Sequence, residues 1–244
     1  MKRFFASLAR RSFVSLMLLG SALITATSLG YFDLETLPPF VIEKLPVRFE
    51  ALWLASLRLH VASACITFPL CLVSLSRRLQ RRPALHRRVG RVAGMLVLFG
   101  LVPSGIVLAF DAKGGFYVTL GFLLSAVIVA SAMLYGVRAA RRRDFLAHRR
   151  AMHHVVAQMS VAVSSRVMLV GLDASGVDPD FAYFLALWVP VVASALVAEL
   201  ISRPAPGPLL TLKNPFERIR REASTLPALV RLRALLRPLP RLGR

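Results

Sequence analysis

About six apolar runs, each roughly 20 residues long, constrain this chain more than any other feature of its sequence. A run of that length is what an α-helix needs to cross the hydrocarbon core of a bilayer. The 244-residue chain is 56% apolar with a mean hydropathy of +0.63, above the usual range for a soluble domain. The sequence predicts an all-α, polytopic membrane helical bundle with six spans, at 12–31, 52–75, 92–110, 116–137, 152–172 and 181–201.

Basic residues are distributed very unevenly among the segments that join these runs. Of the 32 lysines and arginines, 27 fall in the N-terminus, the second and fourth connections and the C-terminal tail, whereas eight of the 12 acidic residues fall on the opposite side. Because basic loops are retained in the cytoplasm, we expect both termini to be cytoplasmic and the location to be a bacterial plasma (inner) membrane. The net charge of +20 then indicates topology and contact with anionic lipid headgroups, and nucleic-acid binding is not expected.

The sequence divides into three parts. Residues 1–51 hold the first span and a loop, residues 52–201 form a five-helix core, and residues 202–244 form a basic tail. We interpret the first span as an uncleaved helix with basic flanks, with a cleaved signal peptide as the alternative. The tail has a helix-start pattern at 214–217 followed by leucine and arginine clusters, which predicts a segment lying on anionic headgroups. A disordered basic tail is the alternative.

Two ionisable side chains lie inside spans at matching depth on the poorly basic side. His60 is about 12 Å and Arg166 about 9 Å from the ends of their spans, at 1.5 Å per residue. Charges at membrane depth cost ~2.5–3.5 kcal/mol or more and usually serve a function. With Asp173, on the same helical face as Arg166, they form a predicted ligand or proton site. A purely structural ion-pair network is the alternative, as is an Arg166 that extends to the lipid surface.

Further candidate residues lie on the basic side. Glu199 and Arg203, four residues apart, are expected to form a structural ion pair. No residue spacing indicates a metal site. Four histidines stand beside arginines and could ligate a b-type haem, or bond lipid phosphates and loop carbonyls: His86, His148, His153 and His154.

Two short motifs on the basic side resemble a known family. They are His86-Arg87-Arg88-Val89-Gly90-Arg91 and His148-Arg149-Arg150-Ala151-Met152. We expect both to lie in connections whose arginines hold anionic lipid or the carboxylates of the C-terminal tail. Together with His60, Arg166, Trp188 and Glu199, they resemble the prokaryotic membrane family called domain of unknown function 2306, over roughly 52–201. The family usually has tryptophan where this chain has Ala151. The resemblance implies a multi-pass membrane protein and no particular reaction or cofactor.

These observations leave three functions open. A small-ligand or proton-coupled transporter or sensor would use His60 and Arg166. A b-type haem or quinone-linked oxidoreductase would instead use His86 with another histidine of the basic side, because His60 lies roughly 22 Å from that side. The third possibility is a structural or assembly partner of another membrane protein. No catalytic triad, phosphate loop or carboxylate pair assigns an enzymatic reaction.

Overall fold

The computed structural model of the protein describes residues 2–33, 36 and 38–202, with side chains from residue 11 onward. The chain divides into a unit over Met1–Ser202 and a second over Arg203–Arg244. The second unit lies outside the described residues, and so do Arg203 and the expected headgroup-lying segment. The described regular structure is entirely helical, which confirms the all-α prediction. It comprises α1 (Lys2–Ser28), a 3-10 turn (Leu29–Phe32), α2 (Pro39–Lys44), α3 (Glu50–Ser74), α4 (Arg77–Gln80), α5 (Pro83–Met95), a π-helical segment (Leu96–Leu101), α6 (Val102–Phe110), α7 (Gly115–Arg141), α8 (Phe145–Ala174) and α9 (Pro179–Ser202).

Six helical stretches in the described part of the chain are long and apolar enough to cross a membrane, as predicted. Several extend beyond the apolar runs in the sequence, because apolarity marks the membrane-crossing part of a helix and not its ends. Their bounds are Arg11–Phe32, Glu50–Ser74, Pro83–Phe110, Gly115–Arg141, Phe145–Ala174 and Pro179–Ser202.

The two His-Arg-Arg motifs begin helices, so their expected placement in connections is wrong. Pro83 occupies the first position of α5, where its missing N–H is not needed. The Asp144 side chain accepts a hydrogen bond from the Ala147 N–H at 2.9 Å and caps α8. Arginine is a good helix former, so each helix starts before its apolar run. His86 and His148 are each the fourth residue of their helices.

The third span contains the π-helical segment between α5 and α6. The Val102 N–H donates to the Val97 carbonyl, five residues back instead of four. Pro103 follows and has no N–H to donate. Segments of this kind are often found at functional sites, and this one ends beside His60.

Helix α8 lies at the centre of the bundle and packs against α1, α3, α7 and α9. At its middle, the Gln158 side chain is only 3% exposed. Its amide donates to the Val191 carbonyl at 3.0 Å and to Ser194 Oγ at 2.9 Å, and its oxygen accepts from Ser125 Oγ at 3.0 Å. A buried polar group with all these partners is satisfied, so Gln158 joins α7, α8 and α9 without leaving a polar group unpaired.

The connection between the first two spans folds back onto the bundle through α2. Val41 is 1% exposed and packs with Trp53 and Leu57 of α3. Glu43, two residues further along, forms an ion pair with Lys113, which follows α6. This connection is therefore held at one end of the bundle by an apolar anchor and an ion pair.

Candidate functional site

We name the two ends of the bundle by their charge. The acidic end contains the connections around residues 33–50, 111–114 and 173–180, and the basic end contains those around residues 75–83 and 142–145. His60, Arg166 and Asp173 belong to the acidic half. The histidines of the two His-Arg-Arg motifs belong to the basic end.

The His60 ring is partly buried between α3 and the third span. Its Nδ1–H donates to the Leu101 carbonyl at 3.1 Å and lies 3.3 Å from Ser104 Oγ. A carbonyl oxygen can only accept, so the hydrogen of the neutral ring is on Nδ1 and the lone pair is on Nε2. In the described part of the chain Nε2 has no hydrogen-bond partner. His60 therefore presents a fixed proton acceptor.

Two glycines of the third span allow this close approach. A Cβ on Gly105 would lie 3.0 Å from His60 Cε1 and 3.2 Å from Nδ1. A Cβ on Gly100 would overlap Ser63 Oγ and lie 3.1 Å from Ser63 Cβ. His60 and Ser63 therefore pack directly onto the backbone of the third span, which fixes the orientation of the imidazole.

Arg166 of α8 is exposed, and its Nη1 donates to the Ala162 carbonyl at 2.8 Å, within its own helix. Its charge acts electrostatically on His60 of α3 and also on Tyr183 of α9. One base, one cation and one phenol thus come from three spans in the acidic half of the bundle. Tyr183 was missed from the sequence, because nothing local distinguishes it from an interfacial aromatic residue.

A half-open pocket of about 350 Å³ lies at the acidic end. Lys113, Asp173, Asp180 and Tyr183 are among the residues that line it. Asp173 is exposed, and within the described residues it forms no ion pair with Arg166. In place of the expected Arg166–Asp173 contact, Arg166 bonds to Ala162, and Asp173 lines the pocket at the acidic end.

The ion pair at this end joins Lys113 Nζ to Glu43 Oε1 at 2.7 Å. The hydrogen bond and charge of Lys113 lower the pKa of Glu43 from its ordinary value. In turn, the hydrogen bond and charge of Glu43 raise the pKa of Lys113. Both side chains are exposed, so solvent and salt screen the pair.

Arg58 has a structural role that the sequence did not indicate. Its Nε donates to the Tyr31 carbonyl at 3.0 Å, in the turn that ends the first span. The bond fixes the end of the first span to α3.

At the basic end, the structure brings together two of the four histidines considered as haem ligands. The His86 and His148 ring centroids are 6.4 Å apart and the planes are nearly perpendicular. His148 Nδ1–H donates to the Gly136 carbonyl at 2.9 Å, which leaves the lone pair of the neutral ring on Nε2. His86 Nδ1 is buried and has no hydrogen-bond partner among the described residues.

The other two histidines face α9. His153 Nδ1 lies 3.1 Å from Ser202 Oγ, and His154 Nε2 lies 3.5 Å from Glu199 Oε2. Glu199 was expected to pair with Arg203, which lies outside the described residues. Within them, Glu199 contacts His154.

Among described residues, no carboxylate pairs with the four arginines that follow the motif histidines, and the buried Nε of Arg150 has no hydrogen-bond partner. Arg87, Arg88 and Arg149 are exposed. This is the arrangement expected of side chains that meet lipid headgroups. The described part of the chain has no group of three or more histidine, cysteine or acidic residues placed to hold a metal ion.

Comparisons with known proteins agree with this architecture. No curated protein and no solved structure matches the chain. A family model described as a predicted membrane protein matches residues 57–202, more than half of the chain. That region includes His60, both His-Arg-Arg motifs, Arg166 and Glu199. The chain therefore belongs to the DUF2306 family of predicted membrane proteins.

Proposed function

We propose that this protein is a proton-coupled transporter of a small ligand that carries a carboxylate group. The observation that carries the proposal is the His60 Nε2 lone pair together with the charge of Arg166, which acts on the same imidazole in the acidic half of the bundle. A base and a fixed cation at membrane depth are costly unless they are used. The five-helix core at 52–201 would contain the site.

The chemistry follows from these two groups. A carboxylic acid that enters the site donates its proton to His60 Nε2. The resulting carboxylate accepts hydrogen bonds from the Arg166 guanidinium, whose planar geometry suits a carboxylate. The imidazolium forms next to an anion, which stabilises it. Binding of the ligand and transfer of its proton are thus one event.

The pocket at the acidic end supplies an entrance. Tyr183 lines it and is also within electrostatic range of Arg166. Lys113 in the same pocket attracts an anion toward this entrance. With basic loops in the cytoplasm, both termini are cytoplasmic and the ligand enters from the opposite side of a bacterial plasma membrane.

Uptake by proteoliposomes tests this proposal. The probes are radiolabelled acetate, succinate and alanine, each with and without an imposed pH gradient. Arg166→Gln should abolish uptake of the transported probe. His60→Asn keeps a donor for the Leu101 carbonyl but removes the basic nitrogen, so it should abolish the response to the pH gradient.

Arg58→Gln is the matched control. Like Arg166, Arg58 lies in a span and donates to a backbone carbonyl, but its partner is Tyr31, at the end of the first span. It should retain uptake. Uptake of none of the three probes by the wild type, or equal uptake by the wild type, Arg166→Gln and His60→Asn, contradicts the proposal.

A haem-linked oxidoreductase is the second candidate, and the proximity of His86 and His148 favours it. Two imidazoles from different helices can ligate one haem iron. His148 is suited to this because its Nδ1–H bond to Gly136 leaves Nε2 available, as is usual for histidine ligands. An optical spectrum of the purified protein decides between the candidates: a Soret band that is lost in His148→Asn supports the oxidoreductase.

A further inference from the structure

The two His-Arg-Arg motifs are 62 residues apart in the sequence and meet at one place in the structure. Each histidine is the fourth residue of its helix, and its N–H makes an early helical bond: His86 to the Arg82 carbonyl at 2.9 Å and His148 to the Asp144 carbonyl at 3.0 Å. The two helices thus begin with equivalent residues in equivalent positions, and their histidine rings meet. We call His86, His148 and the arginine pairs that follow them the twin motif.

The two imidazoles are positioned to contact a further group. His148 is fixed by its bond to the Gly136 carbonyl. Gly136 allows this, because a Cβ there would overlap Met152 Cε and lie 3.1 Å from Ala151 Cβ. Within the described residues, His86 Nδ1 has no partner although it is buried. The His86 ring as a whole is half-buried and makes no hydrogen bond within the described residues, so it can donate to a ligand.

The surroundings select an anion over a metal cation. Two helix N-termini point to this end, and each carries a partial positive charge. Arg87, Arg88, Arg149 and Arg150 have no carboxylate partner in the described structure. A divalent cation would be repelled here, whereas a phosphate would be attracted.

We propose that the twin motif binds a phosphomonoester group, carried either by a lipid headgroup or by a soluble phosphate. The monoanion of a phosphomonoester keeps one P–O–H, which donates its hydrogen to the lone pair on His148 Nε2. If the proton transfers, an imidazolium faces a dianion and no proton is taken from solution. His86 donates to a second phosphate oxygen, and the guanidiniums neutralise the charge.

This proton distinguishes the ligand from other anions. A phosphodiester has no P–O–H to donate at neutral pH, and neither has sulfate. A phosphomonoester has a second pKa of about 6 and retains this hydrogen in part. The site should therefore prefer a phosphomonoester over a diester of the same lipid and inorganic phosphate over sulfate. A general attraction of arginines to anions would give no such preference.

The experiment measures thermal unfolding of the full chain in phosphatidylcholine nanodiscs at about pH 6. One arm adds inorganic phosphate or sulfate at equal ionic strength. The other arm includes phosphatidic acid or phosphatidylglycerol at equal mole fraction. Stabilisation by phosphate over sulfate identifies a soluble ligand, and stabilisation by phosphatidic acid over phosphatidylglycerol identifies a lipid; either supports the proposal.

His86→Asn should weaken binding of the preferred ligand roughly tenfold or more, because it removes a bond to a charged group. It should leave the ligand-free unfolding temperature unchanged or higher, since His86 Nδ1 bonds nothing there. His148→Asn is the second variant and retains a donor for the Gly136 carbonyl. His153→Asn is the control, because it changes a histidine at the same end of α8 that faces α9.

Two results overturn the proposal. One is equal stabilisation by phosphate and sulfate together with equal stabilisation by phosphatidic acid and phosphatidylglycerol. The other is a loss of binding in His153→Asn as large as that in His86→Asn. Neither result depends on the carboxylate site at the acidic end, so this proposal and the transporter proposal fail independently.

Discussion

The two ends of the bundle handle positive charge in opposite ways. At the acidic end cations are few, and three of them have a hydrogen-bond or ion-pair partner in the protein: Arg58 with the Tyr31 carbonyl, Arg166 with the Ala162 carbonyl and Lys113 with Glu43. At the basic end arginines are numerous, and those of the twin motif have no carboxylate partner among the described residues. A high density of positive charge therefore predicts which end of the bundle faces the cytoplasm. An isolated cation that is bonded within the protein marks a candidate site.

The largest expected effect tests the assignment of the two ends to the two sides of the membrane. A reporter that is active only outside the cytoplasm should be active when fused after Pro179 and inactive when fused after Arg142. The expectation follows from the 27 basic residues on one side. Measured activity at both fusion points, or the reverse pattern, would contradict the orientation.

Packing around His60 provides the next largest effect. Gly100→Ala should destabilise the protein by about 1–3 kcal/mol, because the added methyl overlaps Ser63. Gly90→Ala, in the same span near the basic end, is the matched control, since a Cβ there meets nothing within 4 Å. It should be neutral or stabilising by up to ~1 kcal/mol. Denaturant unfolding in detergent measures both, and equal stabilities would refute the close packing at Gly100.

Retention of anionic lipid tests whether the arginines of the twin motif differ from other arginines at the basic end. Replacement of Arg87, Arg88, Arg149 and Arg150 by glutamine should reduce co-purified anionic lipid, by about 1 kcal/mol of binding per residue. The control is the same change at the four arginines that end α7 and begin the next connection, because the two variants then have the same net charge. Native mass spectrometry counts the bound lipids. A similar loss in both variants would show that charge alone, and not the twin motif, holds lipid. The control positions are Arg138, Arg141, Arg142 and Arg143.

The smallest effect concerns the ion pair at the acidic end. The pKa of Glu43 is lowered, so its stabilising effect is present above the ordinary pKa of a glutamate and is lost as pH falls through the lowered value. The pKa of Lys113 is raised, so its effect is lost only as pH rises through that raised value. Hydrogen exchange of α2 in the wild type should therefore become slightly faster under acid, relative to the intrinsic rate of an unstructured chain at the same pH.

Lys113→Gln should show that faster exchange already at neutral pH, and Lys44→Gln, whose lysine ends the same helix, should not. Surface ion pairs contribute little, and Val41 still anchors the connection. A complete opening of the connection in Lys113→Gln would mean that the ion pair matters more than its exposure suggests.

The spans could be predicted from sequence because the bilayer requires a long apolar run for each one. The helix starts at Pro83 and Phe145 were missed, because an arginine-rich helix outside the apolar core has no apolar signal; the proline at the first position and the capping Asp144 were the signals that could have marked them. The π-helical segment and α2 were missed for a similar reason. A change in hydrogen-bond spacing leaves no mark in hydropathy, and α2 is only six residues long.

The candidate site could be predicted only in part. Depth and polarity pointed to His60 and Arg166, since intramembrane charges are rare. The partner that fixes His60 is a backbone carbonyl 41 residues away, and every residue has a carbonyl, so the sequence cannot indicate which one it is. The meeting of His86 and His148 likewise depends on how α5 and α8 pack.

The π-helical segment of the third span contains one more residue than the same length of α-helical turns would. A π turn contains one residue more than an α turn, so it can pass along a helix without unfolding it. Residues that it passes rotate by about 100° around the axis, since an α-helix has 3.6 residues per turn. If the turn moved beyond Gly105, both Ser104 and Gly105 would rotate away from His60, and a bulkier neighbour would replace them. Such a shift would change the neighbours of the imidazole while both ends of the third span stay in place.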